Sequence, residues 1–256
     1  MLFRSFTAAL DDRGYVWIWG DNTYGQLGIE STESYVATPQ RVKKGISQST
    51  TTYLENIVSI SAGANHMLAL DKNGSVWAWG DNTYGQLGEE TSGETISWTY
   101  YTVNTADSKP LPYDNSTVVT PVRNIRISPV MTYINDVEKI SAGYNNSTAI
   151  KTDMTAWSWG DNSHGQTGTG KTAAQASVVP LPKKIMLDGS QLREVRQISV
   201  GKNHMNAILL IDTEQQPGDI TEDDVKVNVL TWGQNLNNLG EAVINTTPVV
   251  DRKSVV

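Results

Sequence analysis

Trp17-Ile-Trp-Gly-Asp-Asn-Thr-Tyr-Gly-Gln-Leu-Gly28 recurs at residues 77–88 with one change, Ile18 to Ala78. A worn copy, Trp157-Ser-Trp-Gly-Asp-Asn-Ser-His-Gly-Gln-Thr-Gly168, follows, and a fainter one reads Leu230-Thr-Trp-Gly-Gln-Asn-Leu-Asn-Asn-Leu-Gly240. A segment repeated at this spacing means one supersecondary unit used several times, each copy burying apolar faces against its neighbours. The repeat sets the architecture. Loops outside it set what such a scaffold binds.

The clearest unit opens with Ile57-Val-Ser-Ile-Ser-Ala-Gly-Ala-Asn-His66 and continues through Met67-Leu-Ala-Leu70 to Asp71-Lys-Asn-Gly74 and Ser75-Val-Trp-Ala-Trp79. Short apolar runs separated by Asx and Gly turns predict strands. Asp-x-Asn-Gly between two such runs predicts a hairpin, since Asn and Gly tolerate the positive φ of a tight turn. Asp11-Asp-Arg-Gly14 holds the same place in the first unit. In Val76-Trp-Ala-Trp79 both pleat faces carry apolar or small residues, which predicts a strand covered on both sides by stacked sheets. No stretch shows the 3.6-residue apolar period of an amphipathic helix.

The segments beginning at Val137 and Val195 match Ile57-Val-Ser-Ile-Ser-Ala-Gly. They divide the single repeat domain, 1–256, into units of about 1–54, 55–133, 134–191 and 192–256. Two insertions stand out. Residues 89–120 enlarge the second unit, and an acidic hairpin at 212–226 enlarges the fourth.

The net charge of −7 argues against a nucleic-acid surface, which needs clustered Lys and Arg. Lys43-Lys44 and Lys183-Lys184, each a few residues after a proline, read as solvated strand ends. The absence of cysteine excludes disulfides, thiol nucleophiles and cysteine-ligated metals. No apolar segment is long enough for a membrane helix, so no membrane insertion is expected. Met1-Leu-Phe-Arg-Ser-Phe runs straight into Asp11 and Asp12 without the form of a signal peptide. The chain is either cytoplasmic or begins after a removed segment.

Taken in order, Ser61-Ala-Gly-Ala-Asn-His66, a short apolar strand, Gly74-Ser-Val-Trp-Ala-Trp-Gly-Asp-Asn82, Gly85-Gln-Leu-Gly88 and the Pro39-Gln-Arg-Val42 that follows the first copy resemble the repeat of the RCC1 (regulator of chromosome condensation) family. The likeness touches all four units. It implies an all-β fold, a β-propeller of four-stranded antiparallel blades, usually seven. Only four units are visible here, and the chain opens inside one, with Ser5-Phe-Thr-Ala-Ala-Leu10 matching the strand after Gly-x-x-His. The first expectation is therefore part of a longer propeller, with self-association or further blades covering its open faces. The alternatives are closure with fewer blades and a ring assembled from two chains. The Ser/Thr/Asn-rich loops resemble bacterial family members, which favours a secreted or cell-surface setting over the cytoplasm. The founding eukaryotic member is an exchange factor for the Ran GTPase that docks on chromatin. Neither role carries over, because its exchange residues have no residue-by-residue match here and the acidic balance opposes chromatin.

The side chains that invite a chemical reading repeat with the unit. Trp19-Gly20, Trp79-Gly80, Trp159-Gly160 and Trp232-Gly233 are expected to be structural, as are His66 and His204, which share one repeat position on different blades. Asp21, Asp81 and Asp161 follow Trp-Gly in register, as carboxylates that cap their own turn would. Catalysis needs dissimilar residues meeting once. Gly165-Gln-Thr-Gly-Thr-Gly-Lys-Thr172 fits a phosphate-loop pattern, yet its first half is the repeat's own Gly-Gln-Leu-Gly and no helix is expected after it. The six acids among residues 212–224 lack calcium-loop spacing and read as a solvated hairpin tip. No catalytic residue, metal ligand or cofactor is expected.

The insertion is different. It carries Trp98, Tyr100, Tyr101 and Tyr113 among small polar residues, and Tyr35 and Tyr53 stand in the first unit's long connection. Tyr and Trp offer large contact area at low entropic cost and dominate interface hot spots. These six residues form the expected surface for a protein partner, unless the insertion rings merely cover their own blade. The first reading is a non-enzymatic protein-binding module. The second is an architectural segment of a larger protein, and a carbohydrate-binding module is the third.

Overall fold

In the computed structural model of the chain, the described residues are 5–44, 52–89, 102–103, 110–111, 125–211, 226–236 and 242–250. They form four antiparallel sheets in chain order. The first has three strands, β1 (Phe6–Leu10), β2 (Val16–Asp21) and β3 (Tyr35–Arg41). The second joins β4 (Ile57–Ala62), β5 (His66–Asp71), β6 (Val76–Asp81) and β9 (Ile125–Met131), while β7 (Thr102–Val103) pairs with β8 (Pro110–Leu111) inside the insertion. The third is β10 (Val137–Ala142), β11 (Asn146–Lys151), β12 (Ala156–Asp161) and β13 (Val178–Lys184). A short hairpin, β14 (Met186–Leu187) with β15 (Ser190–Gln191), leads to the fourth sheet of β16 (Val195–Val200), β17 (His204–Ile211), β18 (Lys226–Leu236) and β19 (Ala242–Val250). No helix among the described residues is long and apolar enough to cross a membrane.

The sheets stack as blades, and the apolar cores lie between them. Ile18, Leu27, Val42, Met67 and Trp79 fill the first interval. Leu68, Leu70, Leu87, Ala149 and Trp159 fill the second, and Ile150, Ile185, Met205 and Trp232 the third. Alternation along β5 explains this arrangement: Met67 and Ala69 face the first blade while Leu68 and Leu70 face the third. A strand that feeds two cores must be apolar on both faces, as Val76-Trp-Ala-Trp79 predicts.

In each sheet the strand carrying the Trp-Gly pair breaks register with its outer neighbour around that tryptophan: between Ile18 and Gly20, Ala78 and Gly80, Ser158 and Gly160, and Thr231 and Gly233. The glycine at each break has positive φ, from 92° to 112°. These bulges bend the outer strand and leave the preceding tryptophan free of ladder pairing with it.

Turns match the sequence. Gly14 donates to the Asp11 carbonyl at 3.1 Å and Gly74 to the Asp71 carbonyl at 3.0 Å, closing the two predicted hairpins. Residues 172–176 make a single turn, with Gln175 and Ala176 N–H groups both on the Thr172 carbonyl, so no phosphate-binding helix follows Gly168.

Candidate partner-binding site

The repeated loops are held by their own side chains. In the first, Asp21 Oδ1 accepts from the Thr23 hydroxyl at 2.6 Å, and Asp21 Oδ2 accepts from Gln26 Nε2 at 3.0 Å. Asn22 Oδ1 accepts from the Leu27 amide at 3.1 Å, and Gln26 Oε1 from the Tyr24 amide at 2.7 Å. The second loop repeats the amide contacts with Asp81, Asn82 and Gln86, and the third with Asp161, Asn162 and Gln166, but Gln86 Nε2 and Gln166 Nε2 are buried without a partner. Asp21, Asp81 and Asp161 are buried turn-formers here, spent on local amides and hydroxyls.

A rigid loop then receives the next blade. Trp79 Nε1 donates to the Gln26 carbonyl at 2.9 Å, Trp159 Nε1 to the Gln86 carbonyl at 2.8 Å, and Trp232 Nε1 to the Gln166 carbonyl at 2.9 Å. The ring lies flat against the loop's last glycine. A methyl group on Gly88, whose φ is +68°, would sit 2.8 Å from Trp159 Nε1. All three indoles are fully buried. Trp19 holds the same register position and is only half-buried, and among the described residues none accepts from its Nε1.

His66 adds a second tie between blades two and three. Its Nε2 lies 3.0 Å from Ser147 Oγ, which itself donates to the Gln86 carbonyl at 2.7 Å. The hydroxyl proton is thus committed, so the imidazole is the donor and Nε2 carries the hydrogen. Nδ1 is then a bare acceptor, buried without a partner. Burial pushes the imidazole down to about 3, so it is neutral at physiological pH. The His204 ring lies against Gly201 as that of His66 lies against Gly63, but it is exposed and makes no side-chain hydrogen bond among the described residues. The reason is positional, since no described strand packs over His204 as β11 packs over His66. Asn146 replaces the histidine in the third blade, and both its amide atoms are buried without partners. The residue matching Ser147 in the next blade is Met205, which offers it no hydrogen bond.

Among the described residues, three aromatic rings gather around one cation on the first blade. Arg41, on β3, pairs in register with Trp17 on β2. Its guanidinium carbon lies 4.6 Å from the Tyr15 ring centroid, 4.9 Å from Trp17 and 5.4 Å from Tyr53. Three rings around one cation make a cation–π box. The Trp17 indole is fixed from behind by Asp11 Oδ2 at 2.9 Å. That bond, with the Tyr15 amide, holds the Asp11 carboxyl below the usual carboxylate range. The box borders a groove of about 560 Å³ whose lining includes Glu33, Val36, Lys43 and Tyr53. Lys43 is paired with Glu30 at 3.5 Å, and its backbone bridges to Tyr53.

Of the expected partner surface, Tyr53 lines this groove at 38 % exposure, and Tyr35 stands at the start of β3 at 60 %. Trp98, Tyr100, Tyr101 and Tyr113 lie outside the described residues, as do the acids of the fourth-unit hairpin. Sequence reasoning missed Tyr15, Trp17 and Arg41 as members of one cluster. Trp17 looked like an ordinary repeat tryptophan, and only strand register brings Arg41 onto it. Among the described residues no group of three or more His, Asp or Glu is placed to hold a metal ion.

The profile of the regulator of chromosome condensation (RCC1) repeat matches residues 13–70, 73–150 and 155–208. This chain belongs to the RCC1 repeat family. A second RCC1 repeat profile matches residues 57–86 and 137–166, which run from β4 and β10 into the second and third repeated loops. The RCC1-like chain is 30% identical over 190 residues to the mouse secretion-regulating guanine nucleotide exchange factor, covering 72% of this chain and 36% of that protein. It is 27% identical over 206 residues to the human E3 ubiquitin-protein ligase HERC2, covering 80% of this chain and 3% of the ligase. To the ultraviolet-B receptor UVR8 of Arabidopsis thaliana it is 27% identical over 280 aligned residues, with coverage of 96% and 56%. The chain thus spans from 3% to 56% of the length of these relatives. All three are eukaryotic, so the bacterial likeness of the loops finds no support among them.

Among solved structures, human WBSCR16 superposes with a TM-score of 0.60 at 19% identity, over 96% of this chain and 49% of that one. Yeast RCC1 (Prp20), bound to Kap60, superposes with a TM-score of 0.51 at 18% identity, over 97% and 62%. At these identities the likeness establishes the fold: an all-β propeller architecture built of RCC1-like blades.

Proposed function

We propose that this chain is a non-enzymatic, protein-binding RCC1-like propeller module. Its partner surface comprises the first-blade groove with Tyr35 and Tyr53, together with the insertion aromatics Trp98, Tyr100, Tyr101 and Tyr113. The observation that carries the reading is the Tyr15–Trp17–Tyr53 box around Arg41, an aromatic cluster with an exposed rim that the repeat does not require. Rigid rings with one solvent-facing edge are what interface hot spots use. The repeated carboxylates, by contrast, bond within their own turns, Asp21 to Thr23 and Gln26, Asp81 to Thr83 and Asp161 to Ser163.

The test is affinity capture with three baits of verified fold: the intact chain, a Tyr35→Ala/Tyr53→Ala variant, and a chain whose residues 93–115 are replaced by a short Gly-Asn turn. A protein retained by the intact chain and lost from either variant supports the reading and places the site. Identical capture by all three removes these aromatics from the surface.

One observation favours a second reading, an architectural segment of a larger assembly. The half-buried Trp19 and the three-stranded first sheet present a blade face that another blade would cover. Light scattering tests it: a stable monomer at the chain mass of 28.0 kDa, soluble at high concentration, would count against it.

A further inference from the structure

The groove beside the first-blade box recurs on the third blade with its chemistry inverted. Trp157 and Lys184 pair across β12 and β13 as Trp17 and Arg41 pair across β2 and β3. Met186 bonds to the Gly168 carbonyl as Lys43 bonds to that of Gly28, so the two grooves are built on equivalent backbone. The first-blade groove neutralises itself: Glu33 lines it, and Lys43 is paired with Glu30. The third-blade groove, of about 650 Å³, has no acidic residue among the described residues that line it. Its floor is the half-buried Trp157, Val178 and Met186 with the ring of Pro180. Its rim is Lys171, Lys183 and Lys184, all exposed and none in an ion pair among the described residues.

We propose that this groove docks an acidic, extended peptide segment of a partner protein, which seats an apolar side chain on Trp157 and sets carboxylates against Lys171, Lys183 and Lys184. Three lysines gathered without an acidic neighbour among the described residues, on a chain of net charge −7, are a local electrostatic feature that a carboxylate-rich segment complements. The volume falls in the range of small-ligand pockets, ample for an apolar side chain. The mode is side-chain docking rather than strand addition. β13 is the sheet's edge, but Pro180 and Pro182 remove two of its N–H donors and block a further strand from pairing there. A concave apolar floor favours a peptide over a flat lipid surface, and a duplex would meet the repulsion of the acidic chain beyond the groove.

The probe is a dye-labelled peptide, Glu-Asp-Leu-Pro-Asp-Leu-Glu, followed by fluorescence anisotropy against the full chain, with a control peptide carrying Lys at every acid. Saturable binding of the acidic peptide alone is expected, weakening as salt rises. Lys171→Glu/Lys183→Glu/Lys184→Glu should weaken it by at least about tenfold, since three exposed charge pairs are removed and reversed. The salt dependence of the unaltered chain keeps the proposal falsifiable should that variant misfold. The Tyr35→Ala/Tyr53→Ala variant should bind the peptide as the unaltered chain does, so the two surfaces stand or fall separately. No saturable binding, binding insensitive to salt, or affinity unchanged in the lysine variant overturns the proposal. Tighter lysine-dependent binding to phosphatidylserine vesicles or duplex DNA overturns it equally.

Discussion

Arg126 grips Glu89 with two parallel hydrogen bonds, Nε to Oε1 at 2.7 Å and Nη2 to Oε2 at 2.8 Å, and the two side chains are only 10% and 7% exposed. Glu89 directly follows Gly88, the glycine against which Trp159 lies, and Arg126 stands on β9. The pair therefore closes the root of the second-unit insertion and anchors it to the lock between blades two and three. Asn82 Nδ2 also donates to Glu89 Oε1, at 3.3 Å, tying the clamp to the repeated loop.

Glu89→Gln leaves a buried guanidinium facing a neutral amide. Breaking a buried pair on one side costs about 3 kcal/mol or more, because the buried guanidinium loses its two charge-assisted hydrogen bonds to the Glu89 carboxylate. Thermal unfolding should show a fall in Tm on the order of 10 °C. Replacing both partners with apolar residues, Glu89→Met/Arg126→Leu, should recover much of that loss.

Gly88→Ala should destabilise by about 3 kcal/mol, combining left-handed backbone strain with displacement of the Trp159 ring. Gly189 is the control. Its φ is +80°, and an added methyl would meet nothing within 4 Å, so Gly189→Ala should cost only about 1 kcal/mol. Denaturant melts of the two variants separate strain from interlocking.

Stability should depend on pH through His66. The unfolded imidazole titrates near 6.5 and the native one near 3, so between these values only the unfolded chain takes up the proton. The contribution of the neutral buried ring is complete above pH 6.5 and is lost as pH falls from 6.5 toward 3, at up to about 1.4 kcal/mol per pH unit. His66→Asn should flatten that slope in chemical denaturation measured across pH 7 to 4.

Asn146→Leu should stabilise the protein by about 1 kcal/mol, a side chain with the same number of heavy atoms replacing an amide whose two polar atoms are both buried and unbonded. A Tm equal to or below that of the unaltered chain would contradict this accounting.

Much of the architecture was legible in the chain. The repeats at 17–28, 77–88 and 157–168 announce blades because a unit with apolar residues on both faces is stable only when neighbours cover it. Asp21, Asp81 and Asp161 could be assigned to turns, since their partners lie within five residues. Partners distant in sequence could not be read: His66 and Ser147 are separated by 81 positions, Trp159 and Gln86 by 73. His66 and His204 look alike in sequence, yet one is buried and the other exposed, because burial depends on which strand the stack brings alongside.

By itself, then, the sequence determined what is local and periodic: the strands, the hairpins, the self-capped loops and the both-sided apolar pattern that demands stacking. Only the tertiary structure decided which repeat positions differ from their equivalents. It turns Trp17 and Arg41 into part of a cation–π box beside a groove that carries its own acids, and Trp157 and Lys184 into the edge of a lysine-rimmed groove. The physical reason is range. Backbone preference and turn hydrogen bonds act within a few residues, whereas burial, charge neutralisation and ring packing depend on strand register and on the neighbouring blade.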